Sequence, residues 1–128
     1  MGFGSGQEVK VLGEEMLRRA RSKGPCAGLA HLECLLEHPE DIPSDWEQDV
    51  HGVYGDPRGV GIEYLFVGTV LGNRHNGTLA VPRLAKDESS WGWHWIVISG
   101  TAEFNTIYQH VVLLQPNNRK YIKQYPIT

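Results

Sequence analysis

The stretch Trp91-Gly92-Trp93-His94-Trp95-Ile96-Val97-Ile98 decides how this chain is read. Three of the four tryptophans recur there at period two. On a β-strand that spacing puts the three indoles on one face and His94, Ile96 and Ile98 on the other. The indoles then form a row about 13 Å long, at roughly 3.3 Å per residue. Whatever covers that row is either core or ligand, and no motif elsewhere in the chain names a reaction.

Working outward from it, the second half of the chain is β in character. Residues 62–71 are apolar on both faces, as an interior strand covered on both sides should be. Asn76-Gly77 is a strong hairpin signal of the two-residue type, and residues 78–84 return from it. Pro82 cannot donate to a ladder, which predicts an edge or short strand there. After the Trp strand, residues 105–115 form a further strand, and the tail adds a short edge strand through Tyr121, Ile122 and Tyr125.

The first half reads as helical. Val9, Leu12, Met16, Leu17 and Ala20 make one apolar stripe over 8–22, with Glu14→Arg18 and Glu15→Arg19 as favourable pairs on the outside. Gly13 inside that helix weakens it or lets another element approach closely. Gly24-Pro25 separates it from a second helix over 25–37, buried through Cys26, Leu29, Ala30, Leu32, Leu35 and Leu36. Ser44 with Glu47 three residues on is a capping box, so a short third helix is predicted over 45–53, anchored by Trp46. Residues 40–61 otherwise form a long Pro/Gly-rich connection, the natural rim of a pocket.

Two or three helices followed by an antiparallel meander of four to five strands is α+β by segregation, with the helices across one face of a curved sheet. As architectural analogy only, that order is compatible with cystatin-like or nuclear-transport-factor-like cone folds. Residues 1–6 are expected to be disordered or added in cloning, and 7–128 to form a single domain.

A chain of 128 residues, 41% hydrophobic with a formal charge of −3, gives no general attraction to nucleic acid or an anionic membrane. No apolar run reaches the ~20 residues that span a bilayer, and the N-terminus is no signal peptide. Cys26 and Cys34, placed on one helix, lie roughly 12 Å apart, beyond the ~7 Å reach of a disulfide. Free thiols in the cytoplasm are expected. No cofactor and no metal are expected, since Cys/His ligand spacings are lacking. Seven acids and no Lys or Arg between Glu33 and Asp49 make a solvated acidic stretch or a docking patch for a basic partner.

These features lead to three functional expectations. The first is a non-catalytic, homodimeric binding module with an apolar groove for a small apolar or aromatic ligand. Trp91, Trp93 and Trp95 line it, with Trp46, Tyr64 and Arg58 around them. The second is a small enzyme in which the Trp strand pairs with the strand of 105–115 around Ala102. That register sets His94 opposite His110 in a cone-shaped pocket, with Glu63 or Tyr64 as a further polar group. A one-residue slip in register destroys that pair. The third is an acidic partner-binding protein, immunity- or inhibitor-like, of the kind phage and mobile elements carry. Common enzyme motifs are missing, so the balance leans away from catalysis.

Overall fold

The computed structural model describes residues 10–47, 62–87, 90–105, 109–115 and 118–126. The order is β1 (Lys10–Leu12), α1 (Gly13–Lys23), α2 (Leu29–Glu37), two 3-10 turns (Pro39–Asp41 and Ser44–Glu47), β2 (Glu63–Leu65) and β3 (Leu71–Gly72). Then follow β4 (Leu79–Asp87), β5 (Ser90–Val97), β6 (Glu103–Asn105), β7 (Gln109–Gln115) and β8 (Asn118–Pro126). The fold is α+β, with two helices and mostly antiparallel strands. β1 and β6 form a separate two-stranded ribbon. The main sheet has six strands. β5 pairs with β4, β4 with both β2 and β3, β2 in parallel with β7, and β7 with β8. That sheet is open at β5 and β8, so among the described residues no cone closes.

Helices cover both faces of the sheet rather than one. Successive residues of an interior strand point to opposite sides, and here both sides are apolar. Leu65 and Val67 join Val81, Val111 and Leu113 beneath Val11, Met16, Leu17 and Ala20 of β1 and α1. Tyr64 and Phe66 join Leu84 and Val112 beneath Leu32, Leu35, Ile42 and Trp46 on the other side. A strand apolar on both faces needs two covers, and the two helical segments supply them.

The first helix begins later than its apolar periodicity predicts. Leu12 belongs to the predicted helical stripe, but residues 10–12 pair with β6 instead, which turns Val11 inward and leaves Leu12 52% exposed. Gly13 marks the change: its N–H donates to the Ala102 carbonyl at 2.9 Å, and a Cβ there would overlap the Ile98 carbonyl oxygen. On α1, Arg19 pairs with Glu15 as expected, while Arg18 reaches Glu15 as well rather than Glu14.

The strand predicted over 62–71 breaks in two, and Pro82 is the reason. The Phe66 N–H donates to the Pro82 carbonyl at 2.9 Å. Proline has no N–H to return the bond, so the Phe66 carbonyl turns to Thr69 N–H at 3.4 Å and β2 ends. Pro82 itself therefore sits in an interior strand, not at an edge, because its missing donor faces the place where the ladder stops. Residues 25–27 take the vacated slot beside β7. Ala27 N–H donates to Val112 O, Leu114 N–H to Pro25 O, and Cys26 bridges to Leu113. Gly68 seals the junction with an N–H bond to Ala27 O at 2.8 Å, and any side chain there would overlap the Cys26 carbonyl.

The second helix accordingly starts at Leu29 rather than 25. Its first N–H is capped at 2.9 Å by the Thr69 hydroxyl from across the fold. Cys26 lies outside it, and both cysteines are unpaired. The predicted third helix is a 3-10 turn at Ser44–Glu47; the remainder of 45–53, like Arg58 and the rim around it, falls outside the described residues. The hairpin closes between Asn73 and Thr78, wider than a two-residue turn, with Gly77 at φ 72°. The tail strand forms as expected, as β8. Among the described residues no helix is long and apolar enough to cross a membrane.

Candidate functional site

The period-two reading of the Trp strand holds. Along β5, Trp91, Trp93 and Trp95 are half-buried while Gly92 and His94 are exposed. The register sets Trp91 across from Lys86, Trp93 from Leu84 and Trp95 from Pro82. Residues opposed in this way share a face, so the indoles stand on the α2 side.

That side grades from core to surface. Trp46 (3% exposed) stacks on Tyr64 (2%) at 4.0 Å between ring centroids and 10° between planes. The Tyr64 hydroxyl donates to the Trp46 carbonyl at 3.0 Å, which satisfies the buried phenol. Trp91 leans on Tyr64 at 6.2 Å and 56°, and His110 meets the same ring edge-on at 6.4 Å. Trp91 and Trp93 pack against this core cluster. Trp95 stands beyond it, in an edge-to-face pair with Trp93 at 5.6 Å and 70°. All three indoles are thus partly buried, the first two resting on the core cluster and Trp95 resting on Trp93. Indoles held this way present fixed apolar faces with a preferred stacking geometry.

On the opposite face the polar candidates fall into one network. Glu63 accepts from Arg83 Nη1 at 2.6 Å and from Gln109 Nε2 at 2.8 Å, one bond to each carboxylate oxygen. Gln109, itself buried, accepts from the Asn105 backbone N–H at 2.6 Å. Arg83 Nη2 lies 3.2 Å from His94 Nδ1. A guanidinium only donates, so that ring nitrogen is the acceptor. Arg83 Nε is buried without a hydrogen-bond partner. Both carboxylate oxygens are occupied and His94 faces a cation rather than an acid. The arrangement ties β2, β4, β5, β6 and β7 together and has no geometry for relaying a proton.

His94 and His110 do not meet. β5 pairs with β4, β7 with β2, and two strands separate the histidines. His94 opposes Arg83, which opposes Leu65; His110 opposes Tyr64, which opposes Leu84. The two rings thus stand on opposite faces. Between β5 and β7 the chain leaves the main sheet to pair β6 with β1, which removes the hairpin that would have joined them.

No family of known proteins, no characterised protein and no solved structure matches this chain. Function must then be argued from the chemistry of the surface alone.

The remaining candidates are ordinary by position. Glu33, Glu37, Glu40 and Asp41 are exposed along α2 and its exit, and His38 Nδ1 lies 3.6 Å from Glu40. Arg74 and His75 are exposed at the hairpin, while Arg83 is engaged with Glu63. Burial pushes the Cys26 thiol up, which opposes thiolate chemistry. Among the described residues no cluster of His, Cys, Asp and Glu could hold a metal. Gln109 is the functional-looking residue that sequence reasoning passed over. Its signal was a polar side chain in the inward phase of an otherwise apolar strand.

Proposed function

We propose that this chain is a non-catalytic binding module whose ligand surface is the indole row of β5. The single observation that carries the reading is the edge-to-face Trp93–Trp95 pair, partly exposed on an edge strand whose first two indoles rest on the core cluster. A rigid floor under mobile-free indoles lowers the ordering cost of stacking a flat ligand on them. The ligand class that fits is a planar apolar or aromatic molecule, or the apolar face of a sugar ring. Glu63 and Arg83 support the same reading from the other side of the sheet, because their bonds are spent on joining strands.

Tryptophan emission and acrylamide quenching, with and without anilinonaphthalenesulfonate as a planar probe, test this. The expected result is quenchable emission, energy transfer to the bound probe, and loss of that transfer in Trp95→Ala. Blue emission protected from acrylamide, with no probe response, would sink the reading.

A further inference from the structure

Among the described residues β3, β5 and β8 pair on one side only, and since β3 is two residues long, β5 and β8 are the long edges of the main sheet. An edge strand offers unpaired N–H and C=O groups to any other strand, and chains blunt such edges with lysine, proline or irregular register. β8 is blunted: Arg119, Lys120, Lys123 and Pro126 fall within it, and its pairing with β7 shifts register at Leu114/Gln115. β5 is not. Ser90–Val97 contains no charged residue and no proline, and its register with β4 runs unbroken from Ala80↔Val97 to Asp87↔Ser90. Among the described residues no strand pairs with its outer side. A regular, uncharged, aromatic edge of this length is one built to be covered.

We propose that β5 of a second copy covers it, antiparallel about a two-fold axis at Trp93, so that the indoles of both copies form one continuous ligand surface. This rests on the reading of the indole row as a binding surface and adds the element that completes it.

The phase of the ladder selects the axis. Ile98 N–H donates to Leu79 O at 2.8 Å, across the inner edge of β5. Hydrogen-bonded pairs alternate along an antiparallel ladder, so Trp91, Trp93, Trp95 and Val97 turn their amides outward. A copy pairing through those amides with the greatest overlap has its axis at either Trp93 or His94. An axis at His94 sets the two imidazoles abreast in a close pair, with an Arg83 guanidinium against each. An axis at Trp93 sets His94 of one copy opposite Gly92 of the other, on both sides of the axis. Gly92 has open space where a Cβ would stand, so the ring has room. On the other face Trp93 meets its own counterpart and Trp91 meets Trp95, aromatic pairs that favour strand association. The Trp93 axis satisfies the backbone and both faces.

The test combines sizing, an edge-blunting variant and a crosslink. Light scattering over a range of concentrations should show a wild-type dimer. Gly92→Lys, which adds a charge on the open side without touching an indole, should be monomeric with an unchanged circular dichroism spectrum and a weakened anilinonaphthalenesulfonate response. In a Cys26→Ala/Cys34→Ser background, Trp93→Cys should form a disulfide dimer under mild oxidation and His94→Cys should not. That second measurement stands if the lysine variant does not fold. A wild type monomeric at every concentration overturns the pairing and leaves the edge to a strand of another protein. If its indoles still respond to the probe, the ligand reading survives alone. A Gly92→Lys dimer, or crosslinking through His94→Cys in place of Trp93→Cys, also overturns the proposal. A monomeric Gly92→Lys with a full probe response overturns the shared surface.

Discussion

The two faces of the main sheet are built from the same strands yet serve different ends. Under α1 the side chains are mostly aliphatic, with one phenylalanine, and closed: Met16, Leu65, Val81, Ile98 and Phe104 are all at or below 1% exposure. Polar groups on that face are paired with one another across strands. Under α2 the face is aromatic and graded, from the buried Trp46–Tyr64 stack out to a half-exposed indole pair. One sheet can thus carry a sealed face that holds the fold and an unfinished face that offers a surface. Alternation along each strand is what keeps the two tasks separate.

Substitution on each face measures that difference. Phe104→Ala on the closed face should cost about 3–5 kcal/mol, the range for emptying an aromatic site in a packed core, read as a shifted urea midpoint. An equal loss from Trp95→Ala would break the contrast. Glu63→Gln should cost about 1–3 kcal/mol, because the Arg83 guanidinium loses its charged acceptor in a partly buried site. Adding Arg83→Met to that variant should recover part of the loss in a double-mutant cycle; strict additivity would show that the pair is not coupled.

On the open face, Trp95→Ala should cost about 1–2 kcal/mol, less than the core site, because a partly buried indole loses its contact with Trp93, while abolishing the probe response. The smallest effect belongs to the outer side of α1, away from both faces. Hydrogen bonds from Arg18 and then Arg19 hold the Glu15 carboxyl down from 4.5 to about 2. A lowered folded-state pKa stabilises above the unfolded value and is lost as pH falls through the folded one. The Tm difference between wild type and Glu15→Gln should therefore be small above pH 4.5 and vanish as pH approaches about 2. A difference that grew on acidification would reverse the sign of this argument.

Much of the α+β framework was legible locally. The stripe Met16, Leu17, Ala20 and the run Leu32, Leu35 announce helices, and strict alternation announces β5. Gly13 already hinted at a close approach, which the Ile98 carbonyl supplies. What local pattern could not carry is partner choice. Leu12 fits the helical period, yet residues 10–12 pair with β6, because that buries Val11 against the closed face. Pro82 reads as an edge residue until Phe66 is known to sit opposite it. The site divided in the same way. The indole row followed from spacing, whereas the His94–His110 pair depended on a register that no short-range signal specifies. Glu63 and His94 do belong to one network, but Arg83 joins them.

The segment at residues 25–27, lodged beside β7, bears on how the protein emerges during synthesis. Its hydrogen-bond acceptors and donors sit at Val112 and Leu114, near the end of the chain. The ribbon of β1 and β6 likewise spans from one end toward the other. The helices therefore have no resting place until β7 has been made, and the central sheet closes only then. Such long-range closure slows folding and leaves apolar strands waiting. It also makes the fold one cooperative unit: a chain cut between α2 and β2 is expected to yield no half that folds alone.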